Sequence, residues 1–248
     1  MSDVKAALRT LRAFELFAAR RQPLVLSEIA EQLEIPASSC LLLVRTLLQH
    51  GYVYEVSRRG GYYPTRKLFE QMSQVVSHDP LIERLQPVLE RVQADTGESV
   101  TLSKLQGLQL IYLMVVDSAH VMRPALAVGM LRPLHGAASG KALLSLLDAD
   151  ARSALLGAAG MGRLTGNTRT SRAALEADLR SGIKQGWFAS VGESEAELAA
   201  VAVPFRVGAE PYAITVLGTI HRMQPKLARH ARVLQAAQAQ LSPEPRPN

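Results

Sequence analysis

The segment "SGIK", from Ser181 to Lys184, places a serine and a lysine three residues apart. In acyl-serine enzymes of the Ser-x-x-Lys type, this spacing belongs to a serine nucleophile. The companion motifs Ser-Asp-Asn and Lys-Thr-Gly are missing from the sequence, and so short a pattern often arises by chance. A hydrolase therefore stays one alternative, which turnover of activated esters and its loss in Ser181→Ala would reveal.

A second segment, "PLHGAASGKALL" from Pro133 to Leu144, combines small residues with a histidine, a serine and a lysine. It forms neither a Gly-x-Ser-x-Gly elbow nor a Gly-x-x-x-x-Gly-Lys-Ser/Thr loop, so catalysis is not expected. The small residues at 136–139 leave room for a ligand at the start of a predicted helix, whose positive end can hold a carboxylate. The alternative is tight packing of small residues. Lys141 either reinforces an anion or points to solvent.

The composition excludes several classes of protein. The single cysteine, Cys40, rules out a disulfide within the chain, and the six histidines lack ligand spacing, so no metal or other cofactor is expected. Cys40 is expected to be a packed small residue and not a redox sensor. The start "MSDVKAALRT" does not resemble a leader peptide, and no apolar run approaches the ~20 residues of a membrane helix, which predicts a cytoplasmic protein. A net charge of +6 and a pI near 9.7 suit an anionic partner.

The N-terminal part predicts three short helices joined by tight turns. Apolar residues at helical spacing give a first helix that ends near Ala19, and "SEIAEQLEI" gives a second, with Ser27 as its N-terminal cap. Pro36 ends the second helix. The third helix is expected over residues 37–50, before Gly51.

The third helix has two unlike faces, because each residue advances roughly 100° around the axis. The inward stripe consists of Cys40, Leu43, Val44, Leu47 and Leu48. The opposite face carries short hydroxyls, an amide, a guanidinium and one leucine, groups that can contact base edges in a major groove. This outward face consists of Ser38, Leu42, Arg45 and Gln49, flanked by Ser39 and Thr46.

Two strands closed by a basic turn are expected after this helix. The segment 53–57 alternates, "RRGG" makes a turn, and Tyr62 and Tyr63 begin a return strand. Arg58 and Arg59 at the tip are placed to meet phosphates or a minor groove, although a solvated turn is the plain alternative. Three helices followed by such a wing predict a winged helix-turn-helix that binds double-stranded DNA.

The rest of the chain predicts linker helices and then an α+β domain, an antiparallel sheet flanked by helices. Its expected elements are a hairpin turning at "LQG", a strand "VMRPALAV", helices at 136–148, 148–157 and 171–185, the strands "ELAAVAVPFRV" and "PYAITVLGTI", and a helix at 225–241. The predicted domains are the winged helix-turn-helix at 1–67, the linker at 68–97, the α+β domain at 98–241 and a disordered tail at 242–248.

Over essentially its whole length, the chain resembles the IclR-type bacterial transcriptional regulators. The resemblance rests on "LSEIAEQLEIPASSCLLLVRTLLQHGYV", on "YYPTRKL" and above all on "GMLRPLHGAASGKALLSLL". It implies a GAF-like ligand-binding second domain, a homodimer or a dimer of dimers (a homotetramer), and a small organic acid that controls binding to a pseudo-palindromic operator. The alternative is a metabolite-binding module whose winged helix serves mainly dimerisation.

The resemblance also implies which residues contact the effector. They are Ala137, Ala138, Ser139, Ser190, Leu198, Ala200, Thr215 and Leu217. Family members often have Asp, Cys and Ser where Ser190, Ala200 and Leu217 stand, and an arginine at the position of Leu42. The less polar pocket suits an aromatic or aliphatic carboxylate better than a very small polar acid.

Overall fold

A computed structural model describes residues 4–57 and 60–241, and the chain divides into two compact units after Asp79. The expected tail and the arginines at the wing tip lie outside the described residues. The elements of the first unit are α1 (Lys5–Arg20), α2 (Leu26–Gln32), α3 (Ala37–Gln49), β1 (Val53–Ser57), β2 (Gly61–Pro64) and α4 (Lys67–Val76).

The first unit is the predicted winged helix-turn-helix. Phe17, Ile29 and Val44 bring α1, α2 and α3 into one core, and β1 pairs antiparallel with β2. Cys40 is fully buried there, so it is a packed residue. Gly61 has a φ of 81°, and an added Cβ would lie 2.6 Å from the carbonyl oxygen of Leu24. This glycine therefore lets the wing lie against the chain that precedes α2.

The cap predicted for α2 is wrong. The N-terminal cap is Val25, and Ser27 already lies inside the helix. The carboxylate of Glu28 accepts a hydrogen bond of 2.8 Å from the Val25 N–H, so a glutamate in the first turn satisfies this backbone donor. The valine side chain has no acceptor of its own to contribute.

The second unit contains a six-stranded sheet between helices. Its elements are α5 (Pro80–Thr96), β3 (Ser99–Gln106), β4 (Gln109–Val116), β5 (Leu131–Pro133), α6 (Ala138–Ser145), α7 (Ala149–Ala159), α8 (Arg172–Gln185), β6 (Phe188–Val191), β7 (Leu198–Val207), β8 (Glu210–Thr219), α9 (Ile220–Met223), a 3-10 turn (Gln224–Lys226) and α10 (Leu227–Leu241). The strand order is β5-β4-β3-β8-β7-β6, and every neighbouring pair is antiparallel. The α+β prediction is confirmed.

Alternation along the strands gives the sheet two buried faces. Leu102 and Ile214 point toward α5 and α10, where they pack with Leu89 and Leu234. Tyr112, Ala202 and Ala213 lie on the opposite face, in a second core with residues of α6, α7 and α8.

The strand predicted at "VMRPALAV" is wrong. Residues 121–128 form neither helix nor strand, and β5 lies just beyond them, where it pairs with β4. Pro124 interrupts the expected strand because proline has no N–H for a ladder. β5 has three residues and accommodates Pro133 at the edge of the sheet. The strand β6, at the opposite edge, was not predicted.

Within the described ranges, no helix is both long and apolar enough to cross a membrane. The same ranges hold no group of three His, Cys, Asp or Glu side chains that could bind a metal ion.

Candidate DNA-binding face and effector pocket

The outward face of α3 is exposed as its helical spacing predicts. Cys40, Val44 and Leu47 are buried, whereas Arg45 and Gln49 are exposed. The exposed fraction of Leu42 is 69%, so this leucine does not belong to the core of the unit. Ser38 is exposed and Ser39 is partly exposed near the start of the helix.

One edge of this face borders α1. Ser39, Leu42 and Thr46 line a shallow groove whose other wall is α1, with Arg9 and Thr10. The hydroxyl of Thr46 donates a 2.9 Å hydrogen bond to the Leu42 carbonyl and is thereby committed as a donor. Residues 38, 45 and 49 lie next to Leu42, within about 60° of it around the helix axis, and are the part of the face that lies farther from α1.

All eight residues expected at the effector site line one cavity in the second unit. The enclosed cavity is only about 20 Å³ in this structure, and the space between the lining residues is about 410 Å³ when its open mouth is included. Five of the eight come from the facing strands β6, β7 and β8, and the other three lie at the start of α6. They are Ala137, Ala138, Ser139, Ser190, Leu198, Ala200, Thr215 and Leu217.

Small residues create this concavity. A Cβ on Gly140 would collide with the carbonyl oxygen of Leu134, so the missing side chain lets α6 pack against the turn that precedes it. Ala200 and Thr215 on the sheet are short enough to leave space opposite Ala138. The segment that begins at Gly136 thus packs tightly and also forms one wall of the cavity.

Two neighbouring threonines, one of which lines the pocket, have buried hydroxyls. Thr215, which is 3% exposed, lines the cavity, and Thr101 is its cross-strand neighbour with full burial. Neither hydroxyl has a hydrogen-bond partner among the described residues. An unpaired buried hydroxyl is costly, and a bound ligand can remove that cost for Thr215. Ser190 differs, since its hydroxyl donates to the Gly136 carbonyl at 2.7 Å.

Sequence reasoning missed three polar residues of the pocket, Tyr112, Arg132 and Ser194. Arg132 lies on β5 and makes an ion pair with Glu195. Tyr112 is 5% exposed, and burial raises the pKa of its hydroxyl, an effect that the charge of Arg132 and a hydrogen bond from it partly offset. Arg132 directly precedes the "PLHG" motif. The strand was predicted at residues 121–128 and not at Leu131–Pro133, so the direction of the Arg132 side chain could not be inferred.

Lys141 neither lines the pocket nor points to solvent, so both expectations for it are wrong. Its Nζ lies 2.7 and 2.9 Å from the carboxylate oxygens of Glu193, 2.6 Å from Asp178 and 2.9 Å from the Ala189 carbonyl. Arg169 contacts the same two carboxylates at 2.5 and 3.4 Å. Two cations and two carboxylates thus hold α6 to α8 and to the loop after β6.

A winged helix-turn-helix joined to a sheet that carries a small-molecule pocket defines a ligand-responsive DNA-binding regulator. Residues 6–57 match the IclR helix-turn-helix domain, and residues 73–243 match the C-terminal domain of the bacterial transcriptional regulator IclR. The chain belongs to the IclR family of bacterial transcriptional regulators and has the family's C-terminal effector-binding domain. Curated relatives are named as transcriptional repressors, and Ser181 and Lys184 are exposed on α8.

The chain is 28% identical over 225 residues to the transcriptional repressor IclR of Escherichia coli K12, covering 89% of this chain and 82% of that protein. Its fold is similar to the crystal structure of Thermotoga maritima IclR, with a TM-score of 0.81 and 22% identity over 96% of this chain and 98% of that one. A second similar structure is that of an IclR homologue from Microbacterium hydrocarbonoxydans complexed with 4-hydroxybenzoate, with a TM-score of 0.75 and 22% identity over 96% and 97% of the two chains.

Proposed function

We propose that this regulator binds a pseudo-palindromic DNA operator in the cytoplasm and that an aromatic or aliphatic carboxylate from a catabolic pathway controls the binding. Residues 1–67 would bind DNA, 68–97 would link the domains, and 98–241 would bind the effector. The observation that carries the proposal is the pocket, which all eight expected residues line and in which the buried hydroxyl of Thr215 has no hydrogen-bond partner among the described residues.

On the DNA side, the proposal assigns base contacts to α3. Arg45 is suited to a guanine edge and Gln49 to an adenine edge, while Leu42 can contact a thymine methyl. Ser38, Ser39 and Thr46 complete the proposed contact set. Arg58 and Arg59, outside the described residues, are proposed to contact phosphates or the minor groove.

The pocket walls support an effector with an apolar body. Leu126, Leu198 and Leu217 line the cavity, whereas Ser139 and Thr215 supply hydroxyl groups and Arg132 supplies a cation. An aromatic or aliphatic carboxylate matches this division between apolar walls and a few polar groups. The relative that binds 4-hydroxybenzoate adds support for an aromatic acid.

We also propose a homodimer or a dimer of dimers, because α4 has an apolar face that its own unit leaves uncovered. None of its residues is buried, and Phe69 and Val76 are each more than 60% exposed. Phe69, Met72 and Val76 share one side of the helix through their spacing. A second copy of the chain would cover this side, and two copies would place two winged helices on two half-sites.

A thermal-shift screen of organic acids, followed by operator binding with each hit, tests this function. A benzoate-like or medium-chain carboxylate should raise the melting temperature and change operator affinity, because a ligand shifts an equilibrium only by binding two states differently. Ala138→Leu fills the pocket and should abolish both responses while leaving unliganded DNA binding intact. Ala158→Leu, on the exposed side of α7, is the matched control.

Two results would contradict the assignment. In one, only polar acids of two or three carbons bind; in the other, every hit survives Ala138→Leu. If the winged helix serves mainly dimerisation, the chain will show no salt-dependent affinity for any duplex.

A further inference from the structure

Arg132 and Glu195 make an ion pair beside the pocket. Nη2 of Arg132, which lines the cavity, contacts Oε1 of Glu195. The side chain of Arg132 is 25% exposed and that of Glu195 is 50% exposed. Ser194, the neighbour of Glu195, also lines the cavity, so the loop that carries this carboxylate borders the site.

Among the described residues that line the pocket, Arg132 is the one with a charged side chain. A carboxylate that enters this space therefore has a single cation to bind, and that cation already has a carboxylate partner. In the pocket without ligand, the carboxylate of Glu195 thus takes the place of an anionic ligand beside Arg132.

We infer that Glu195 is an internal substitute for the carboxylate of the effector, and that the effector binds Arg132 by displacing it. The inference rests on the proposed carboxylate effector, and it assigns the selection of a carboxylate to Arg132. Arg132 becomes the anchor of the ligand, and Glu195 becomes a competitor that weakens binding of every anion.

The loop around Glu195 allows this exchange without opening. The Glu195 carbonyl accepts from the Leu198 N–H at 3.1 Å, and the Gly192 N–H donates to the Leu198 carbonyl at 2.8 Å. Glu193, two residues before Glu195, is fixed by its ion pairs with Lys141 and Arg169. Only the half-exposed side chain of Glu195 has to move, and in water its carboxylate is well solvated.

The exchange also determines selectivity. When Glu195 leaves Arg132, the carboxylate of a ligand gives the guanidinium a new negatively charged partner, whereas a neutral amide of the same shape does not. An amide therefore binds only through contacts with the apolar walls and the hydroxyl groups of the site. Benzoate and benzamide, which differ in this one group, separate the two contributions.

The alternative is that the pair merely ties the loop to β5. A tie predicts that Glu195→Gln lowers the melting temperature of the unliganded protein and leaves carboxylate affinity unchanged. Competition predicts tighter carboxylate binding in the same variant.

The test is titration calorimetry of the full-length protein with benzoate, octanoate and benzamide. Glu195→Gln should tighten benzoate or octanoate binding roughly two- to fivefold, the range that a partly exposed ion pair spans, and leave benzamide unaffected. Arg132→Gln should weaken the carboxylates about tenfold or more and remove the preference over benzamide. Glu210→Gln, which breaks the exposed 3.1 Å pair with Lys104, is the control and should change neither.

Acid binding to Glu195→Gln but not to the wild type supports the competition. The inference is overturned if carboxylate affinity stays the same in Glu195→Gln, whatever Arg132→Gln does, or if neither the wild type nor Glu195→Gln binds any acid. Failure of the proposed function looks different: the acids bind with these variant effects, yet none of them changes operator affinity.

Discussion

Lys141 on α6 and Glu193 after β6 form a buried bidentate contact, with Nζ 2.7 and 2.9 Å from the two carboxylate oxygens. The side chains are 1% and 5% exposed. Replacing both partners of such a buried ion pair with apolar residues changes the free energy of unfolding little. Removing only one partner destabilises the protein, because it leaves a buried charge without an opposite charge.

Lys141→Met should therefore destabilise the second unit by about 3–5 kcal/mol, because Arg169 alone cannot balance Asp178 and Glu193. Urea unfolding of the full chain measures the loss. Lys104→Met, which breaks an exposed pair with Glu210, should cost under about 1 kcal/mol. Equal losses in the two variants would contradict the assigned role of the cluster.

Gly140→Ala should destabilise the second unit by about 1–3 kcal/mol, since the new methyl group has to displace backbone at Leu134. Gly157→Ala is the matched control on α7, where an added Cβ meets nothing within 4 Å. It should stabilise the protein by about 0.5–1 kcal/mol, as alanine in an exposed helix does. The comparison fails if both substitutions change the unfolding midpoint in the same direction.

Arg45→Ala should cost about 1–3 kcal/mol at one base position of each half-site, since a bidentate contact to guanine is lost. A scan of all single-base operator variants measures this. Arg180→Ala, an exposed residue of α8, removes the same charge outside the DNA-binding unit and should leave base preferences unchanged. Unaltered preferences in Arg45→Ala would show that this side of α3 does not contact bases. Leu42→Arg, which restores the usual family residue, should shift the preference.

The full chain should sediment as a dimer or tetramer of the 26.9 kDa protomer, and Met72→Glu should shift it toward the monomer. The reason is that a charge in the apolar face of α4 would have to be desolvated in the interface. Gln74→Glu adds the same charge on the opposite side of the helix and should leave the mass unchanged. A wild-type monomer at operator-binding concentrations would refute the dimer.

The stability of the second unit should decrease as the pH falls below about 6.5. His230 on α10 is 1% exposed, and neither ring nitrogen has a partner in the described ranges. Burial lowers its pKa below the usual histidine value, while the charge of Glu98 acts in the opposite direction. The unfolded chain thus binds a proton at a higher pH than the folded one, so this stability is complete above the unfolded pKa and lost as the pH falls.

Unfolding free energy measured from pH 7.5 to pH 5 tests the role of His230. His230→Leu should flatten the slope, and His221→Gln, at an exposed histidine of the same unit, should leave it unchanged. A slope that persists in His230→Leu would assign the pH dependence to other groups.

Local spacing predicted the three N-terminal helices to within about three residues, because their apolar stripes are close in sequence. The largest error is the end of α2, which stops at Gln32 and not at Pro36, because Glu34 has a left-handed backbone with a φ of 53°. Local spacing could not give the partners of Lys141, since Asp178 and Glu193 lie far along the chain. Arg132 was missed for the same reason: Glu195 reaches it only through the fold. The eight pocket residues came from family resemblance and not from periodicity.

The sheet is one strand thick, so each strand contributes side chains to both of its faces. Thr101 is paired with Thr215 on the pocket side, while its chain neighbours Val100 and Leu102 pack on the other side in the core that contains Leu89 of α5. Thr215 lines the pocket, and its chain neighbours Ile214 and Val216 pack in that same core, so a ligand that displaces Thr215 also displaces residues on which α5 packs. A shift at the pocket can reach α5 without a chain of intervening side chains, because β8 carries pocket residues on one surface and core residues on the other. The helix α5 directly follows the first unit in the chain.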